Sequence, residues 1–406
     1  MAKTRTRKKI PKPAKPRSSS GDKAALDLVM KLMAIEGLSC REGRVSKFIV
    51  SQLKGAGAKA SAIKFDTAHR RTPGGGEVGN LVLKLPGTLR GPRRLLMAHQ
   101  DTVPICAGSR PVLRGGRVHS ADPKTALGAD DRSGCAVALH TAMTILRRRL
   151  PHPPLTFFWP VQEEIGLHGA RHASLGLLGR PSLAFNWDGG SASKLTIGAT
   201  GGYRMEVSIE GLASHAGGAP ERGVSAITIA ALAVADLQQG GWHGDIVKPR
   251  GHGTSNMGTI HGGAATNVVA DRVQMTMEAR SHDPTFRKRI VSEIEKAFRR
   301  AARNVRSVDG VRGRVTFDGR LDYESFKLAD DEPCILVAED VVRSVGATPI
   351  RAIANGGLDA NWMTARGIPT VSLGCGQMNA HTVDEQLDIE QFHLACRIGL
   401  ALATES

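Results

Sequence analysis

Apolar residues recur at helical spacing over residues 25–35, and strand-like and helical stretches then alternate along most of the chain. Ser39-Cys40-Arg41-Glu42 has the S-x-x-E form of a capping box, which predicts a second helix through Val45, Phe48, Ile49 and Leu53. Residues 80–85 and 94–98 predict strands, the second leading directly into His99-Gln100-Asp101. A loop over 128–134 precedes a helix at 135–146 that is apolar on nearly every face, hence buried. The β-branched and aromatic run 155–161 predicts another buried strand, closing on Glu163-Glu164; residues 182–187 predict one more, ending at Asp188-Gly189-Gly190. Strands alternating with helices imply an α/β fold with a mostly parallel sheet flanked by helices.

From Gly201 the pattern changes. Met205, Val207 and Ile209 alternate with Glu206, Ser208 and Glu210. A helix over 224–237, strands at 255–260 and 272–280, a charged helix at about 284–305 and a strand near 314–317 follow. That order, β-α-β-β-α-β, is the ferredoxin-like split unit, with helices covering one face of its sheet. It predicts a second domain at 199–318 inserted into a first made of 22–198 and 319–406. The α/β pattern then resumes: helix 333–345, a Gly-rich loop 354–359, strand 368–373, a loop 375–381 and a closing helix 389–403.

Composition and charge narrow the class. The chain has 406 residues, 47 of them Gly, and no apolar run reaches the ~18 residues of a membrane span. Six cysteines without a C-x-x-C pair indicate neither a disulfide framework nor a thiolate metal site, and point to a reducing, cytoplasmic compartment. Of the net charge of +17, eight positive charges fall in residues 1–20, which hold no acid. Residues 1–21 have no apolar h-region and read as a disordered basic tail rather than a secretory signal. Such a tail could solubilise the chain or bind nucleic acid or an anionic surface.

His99, Glu163, Glu164 and Asp188 all fall at the carboxyl ends of predicted strands, where the chemistry of parallel α/β sheets collects. Two adjacent carboxylates repel and raise each other's pKa, a cost that a cation beside them removes. With Asp101, Asp130 and His381 the candidate set becomes imidazole and carboxylate without thiolate. That set suits zinc, with cobalt or manganese as substitutes. Seven such residues exceed the needs of one ion and suit two that share a carboxylate. Asp101, two residues from His99, could orient its imidazole by hydrogen bonding.

Seven segments carry a family resemblance: AHQDT (98–102), GADDRSG (128–134), EEIGLHGA (163–170), NWDGG (186–190), SHAGGAPERG (214–223), NGGLDA (355–360) and HTVDE (381–385). In this order they resemble the co-catalytic zinc exopeptidases and deacylases, which include tripeptidase T, glutamate carboxypeptidase, acetylornithine deacetylase and succinyl-diaminopimelate desuccinylase. GADDRSG with WDGG looks most like the tripeptidase T-like branch. The resemblance implies that His99 and Asp188 bind one zinc ion, Glu164 and His381 the other, and that Asp130 bridges them. It makes Glu163 the general base and acid, and Asp101 the group that orients His99. Asp131 is left as a solvated or capping carboxylate. His215 becomes a transition-state ligand reaching a neighbouring subunit's site, so homodimerisation through the inserted domain is implied. Arg280, on the open face of its strand, would hold a substrate carboxylate, and Asn267 would contact substrate. Asn355 and Gly356, in a glycine-rich loop, are further substrate-binding candidates.

The expected reaction is hydrolysis of a peptide bond in short peptides by a zinc-activated water, with Glu163 as base. Two rivals stay open: an N-acyl amino acid deacylase or carboxypeptidase on the same scaffold, and a nucleic-acid or surface binder acting through the basic tail. A serine or cysteine hydrolase is disfavoured, because the chain has no G-x-S-x-G and no Cys beside a convincing His.

Overall fold

The computed structural model describes residues 20–405, and the expected basic tail at 1–21 lies almost wholly outside them. Eight strands of the main sheet lie side by side in the order Ile63–Phe65, Leu81–Leu85, Leu155–Trp159, Arg94–Met97, Leu183–Trp187, Thr370–Leu373, Lys194–Ala199 and Phe326–Lys327. A ninth, Ile350–Ala354, pairs parallel to Lys194–Ala199. The four strands at the centre are mutually parallel and buried at every position, which is why they read as continuous apolar runs. Phe157, Trp159, Phe185 and Trp187 point to one face, under helices Ala129–Arg148 and Ile389–Thr404. Val82, Leu95, Met97, Phe158 and Ala184 point to the other, against Ala170, Ala173 and Met363. Each such large side chain contributes roughly 1.5–3 kcal/mol by burial. The expected α/β sheet flanked by helices is therefore present.

Five antiparallel strands form a separate sheet in the order Gly244–Lys248, Gly251–Gly262, Arg272–Ser281, Gly201–Glu210 and Arg314–Tyr323. Helices Ala226–Gln239 and Pro284–Asn304 cover one face over a core that includes Val207, Ile209, Val273, Met275, Ile290 and Phe298. Without its first strand the order is that of a ferredoxin-like unit. The chain enters this sheet through Thr200 and leaves it through Glu324. Both carbonyls accept from the buried Asn361 Nδ2, at 2.9 and 2.7 Å. A third, four-stranded antiparallel sheet (Gln377–Met378, Gln386–Asp388, Arg117–Ser120, Pro111–Arg114) frames the loop that carries His381.

Several local expectations fail for identifiable reasons. The capping box does not form: Glu42 stands at the N-cap of helix Gly43–Gly55 with no side-chain cap bond. Its Oε1 instead accepts from the Cys40 and Gln162 amides, and Glu77 accepts from the Gly43 amide at 3.1 Å. The strand at 155–161 stops at Trp159, because Pro160 cannot continue the ladder. The last strand of the second sheet runs to Tyr323 rather than ending near 317. The edge strand Gly244–Lys248, mostly exposed, had no apolar alternation to reveal it.

Candidate metal centre

Two ligand candidates are set by the main sheet itself. His99 lies two residues beyond strand Arg94–Met97, and Asp188 directly follows strand Leu183–Trp187, its amide held by the Leu373 carbonyl at 2.9 Å. Asp130 arrives from the start of helix Ala129–Arg148, where Asp130 and Asp131 still have non-helical backbone angles. Gly134 lets that helix close on the strand end: a Cβ there would lie 2.7 Å from the Trp187 carbonyl oxygen and 2.4 Å from Asp131 Oδ1. Glu163 and Glu164 follow Pro160 in a turn whose amides both point at Asp101.

The five ligand candidates form two groups that share Asp130. His99, Asp130 and Asp188 make one, and Asp130, Glu164 and His381 the other; within each group the ligand atoms lie within 4.8 Å of one another. His99 Nε2 is 3.2 Å from Asp130 Oδ1, while His381 Nε2 is 3.3 Å from Asp130 Oδ2 and 2.9 Å from Glu164 Oε2. The two oxygens of Asp130 thus face different histidines. Glu163 Oε2 lies 4.0 Å from His99 Nε2, and among the described residues its carboxylate has no hydrogen-bond donor.

Asp101 organises the centre beyond the imidazole it was expected to orient. Its backbone carbonyl is 3.2 Å from His99 Nδ1 and its Oδ1 is 3.5 Å away. The same buried carboxylate accepts from the Glu163 amide at 3.0 Å, the Glu164 amide at 3.2 Å and the Ser39 hydroxyl at 2.6 Å. Asp131 is not solvated. It is fully buried, and its Oδ1 accepts from Gly134 N–H three residues on, as an N-cap does, and from Gln377 Nε2.

So many carboxylates in one buried place disturb each other's protons. Burial is the largest influence on Glu163 and carries its carboxyl well above the usual range; His99 opposes this and Glu164 adds to it. Asp188 is pushed up to about 7 by burial and by Asp130. Asp130 moves the other way, because hydrogen bonds from His381 and His99 outweigh its burial. The bonds from His381 to Asp130 and to Glu164 lift His381 to about 10. His99 also sits well above its usual value, since Glu163, Asp101 and Asp130 outweigh its burial.

The donor set fits cations. It is nitrogen and carboxylate oxygen only, Glu164 Oε1 is buried with no hydrogen-bond partner, and Asp188 makes no side-chain hydrogen bond among the described residues. Positive charge placed here would meet acceptors that no other described residue satisfies.

The second sheet's candidates stand apart. His215 is exposed, and its Nδ1 accepts from the Gly217 and Gly218 amides at 3.1 and 2.9 Å, which leaves Nε2 as its uncommitted nitrogen among the described residues. Asn267 is exposed, and its carbonyl accepts from the Ala216 amide. Arg280 is gripped by Glu278 through two hydrogen bonds, at 3.0 and 2.9 Å. Asn355 and Gly356 are exposed on their loop, with Asn355 Oδ1 3.2 Å from His282 Nε2. No hydrogen bond or ion pair among the described residues joins His215, Asn267 or Arg280 to the carboxylate cluster.

Three residues at the centre escaped sequence reasoning. Ser39 was read as a cap and instead holds Asp101. Glu385 accepts from the amides of Gly128 and Asp130. Asp359, almost fully buried with neither oxygen hydrogen-bonded, is pushed up to about 8 by burial. Glu385 and Asp359 lie inside two of the seven quoted segments, which was the available signal.

Comparison with known proteins places this chain in a family. Residues 95–405 match peptidase family M20/M25/M40, and the chain belongs to that family, a family of peptidases. It is similar to a tripeptidase from Staphylococcus aureus subsp. aureus Mu50 (TM-score 0.85, 29% identity, 94% of this chain and 98% of that one). It is also similar to the aminopeptidase PepT from Bacillus cereus ATCC 10987 (TM-score 0.82, 30% identity, 95% and 98%). A curated relative, the uncharacterized protein YqjE of Bacillus subtilis (strain 168), is 29% identical over 386 residues, covering 95% of this chain and 99% of that one. The family resemblance carried by the seven segments holds, and the chain is a peptidase/amidohydrolase enzyme of the tripeptidase-like branch.

Proposed function

We propose that the chain is a metal-dependent exopeptidase of short peptides, with His99 and Asp188 holding one ion, Glu164 and His381 a second, and Asp130 both. The observation that carries this reading is the sharing of Asp130, whose two oxygens face His99 and His381 at 3.2 and 3.3 Å. Zinc is the ion the donor set suits, with cobalt or manganese able to replace it. When bound, such ions polarise the scissile carbonyl and bring the pKa of water from about 15.7 towards about 7.

The chain's own groups then handle the protons. Glu163, buried and with no hydrogen-bond donor among the described residues, takes a proton from the attacking water as the water's oxygen bonds to the carbonyl carbon. As the C–N bond breaks, Glu163 returns that proton to the departing amine. Burial, the largest influence on its carboxyl, favours the protonated form through which Glu163 must pass. Asp101, by holding the Glu163 and Glu164 amides and His99 together, keeps base and ligands in fixed relation.

His215 would stabilise the oxyanion and Arg280 the substrate's carboxylate. Both sit on the unit at 199–318, so engagement calls for that unit to move as a lid or for a second subunit to supply them. A homodimer through this unit agrees with the exposed Ile227 and Ile260, which line one apolar groove with Val234 and Met257.

The test pairs a substrate panel with a base variant. Tripeptides should be cleaved faster than dipeptides or N-acetyl amino acids. Preference for the acetylated compounds would favour a deacylase. Glu163→Ala should retain its metal while losing more than about 99% of turnover. Activity above a few per cent would remove Glu163 from the role.

A further inference from the structure

We propose that Glu385 is the positioning residue that fixes His381 against the shared carboxylate of Asp130, and thereby sets the affinity of the His381-side ion. This rests on the reading of Asp130 as a ligand to two ions.

His381 is badly placed to hold a position unaided. It is half exposed, on a turn where both Asn379 (φ 53°) and His381 (φ 65°) adopt left-handed backbone conformations, which are unfavourable for residues with a Cβ. The turn's own hydrogen bonds are local: Thr382 Oγ1 to the Asn379 carbonyl, Asn379 Nδ2 to the Asp384 carbonyl, and the Glu385 amide to the Thr382 carbonyl. None of them ties the turn to the rest of the centre.

Glu385 does. It is the only buried residue between 378 and 386, and its two oxygens reach across the fold. Oε2 accepts from the Gly128 amide at 2.6 Å and Oε1 from the Asp130 amide at 2.9 Å. One carboxylate, four residues after His381, therefore grips the backbone of the residue that His381 must face. Ionised acceptors make stronger hydrogen bonds than neutral ones, and two from one carboxylate fix orientation as well as distance. His99 and Asp188 need no such tether, since buried strands deliver them. The consequence is asymmetric: losing Glu385 should disturb the Glu164–His381 side far more than the His99–Asp188 side.

Cobalt(II) titration of the metal-free full chain, followed by visible absorption and elemental analysis, tests this. Wild type should take up two ions per chain. Glu385→Ala should keep one at wild-type affinity and bind the other about 10–100-fold more weakly, with a one-ion spectrum matching that of His381→Ala. Glu385→Gln, whose amide oxygen keeps one bond while its NH2 opposes the other N–H, should fall between the two; it carries the test if the alanine variant does not fold. Two ions bound by either folded variant with wild-type affinity and spectrum would overturn the proposal, as would equal weakening of both. Fewer than two ions in wild type would instead overturn the two-ion reading beneath it.

Discussion

The carboxylate cluster and the second sheet differ in how complete they are. In the cluster, buried strands and short polar tethers gather five ligand candidates into two groups that share Asp130, with Glu163 beside His99. On the second sheet, His215 and Asn267 are exposed, and Arg280 is engaged by Glu278. A preassembled centre suits ions that stay. On the proposed reading Arg280 would have to release Glu278 and His215 would have to be brought to the cluster, so both would act only when substrate and closure coincide. On that reading chemistry and recognition are lodged in separable parts of the chain.

The contrast makes opposite demands on variants of the two regions. His215→Ala should lower kcat by about 10²–10³-fold, the cost of losing one oxyanion donor, with metal content unchanged. Arg280→Ala should chiefly raise KM, by about 10–100-fold, the cost of one charged hydrogen-bonding group. Steady-state kinetics with metal analysis on the same preparations checks both. Loss of metal in either variant would mean that the second sheet shapes the cluster after all.

A smaller effect concerns the cluster without its ions. Asp188, raised to about 7, Asp359, raised to about 8, and Glu163 and Glu164, also raised, keep protons in the folded chain that the unfolded chain releases. Between about pH 4 and pH 8 the folded form therefore binds more protons, and stability falls as pH rises. His381, lifted to about 10, loses stability in the same direction at higher pH. Asp101 and Asp130, both lowered, act oppositely, but only in the acid range. The melting temperature of chelated protein should drop from pH 5 to pH 8 relative to metal-loaded protein, by a few degrees. Parallel profiles for the two forms would count against a carboxylate cluster relieved by cations.

What could be read from the sequence follows from what each feature depends on. The four central strands were legible because burial on both faces leaves continuous apolar runs, as in LTFFW and LAFNW. Strand ends then pointed to His99 and Asp188. The exposed strand Gly244–Lys248 left no such trace, nor did the short strands framing the His381 turn. Ser39 and Glu42 show a subtler limit: S-x-x-E was present, but both side chains had stronger calls from across the fold, Asp101 for one and the Gln162 amide for the other. Glu385 and Asp359 were missed because their roles depend on contacts more than two hundred residues distant, or on burial, which local pattern does not encode.

The central claim is that one carboxylate, Asp130, serves two ions. Elemental analysis of wild type and Asp130→Ala, each reconstituted with zinc and freed of excess, tests it most directly. The account predicts two ions per chain in wild type and loss of stable binding at both sites in the variant. One ion in wild type, or two retained in Asp130→Ala, would contradict it.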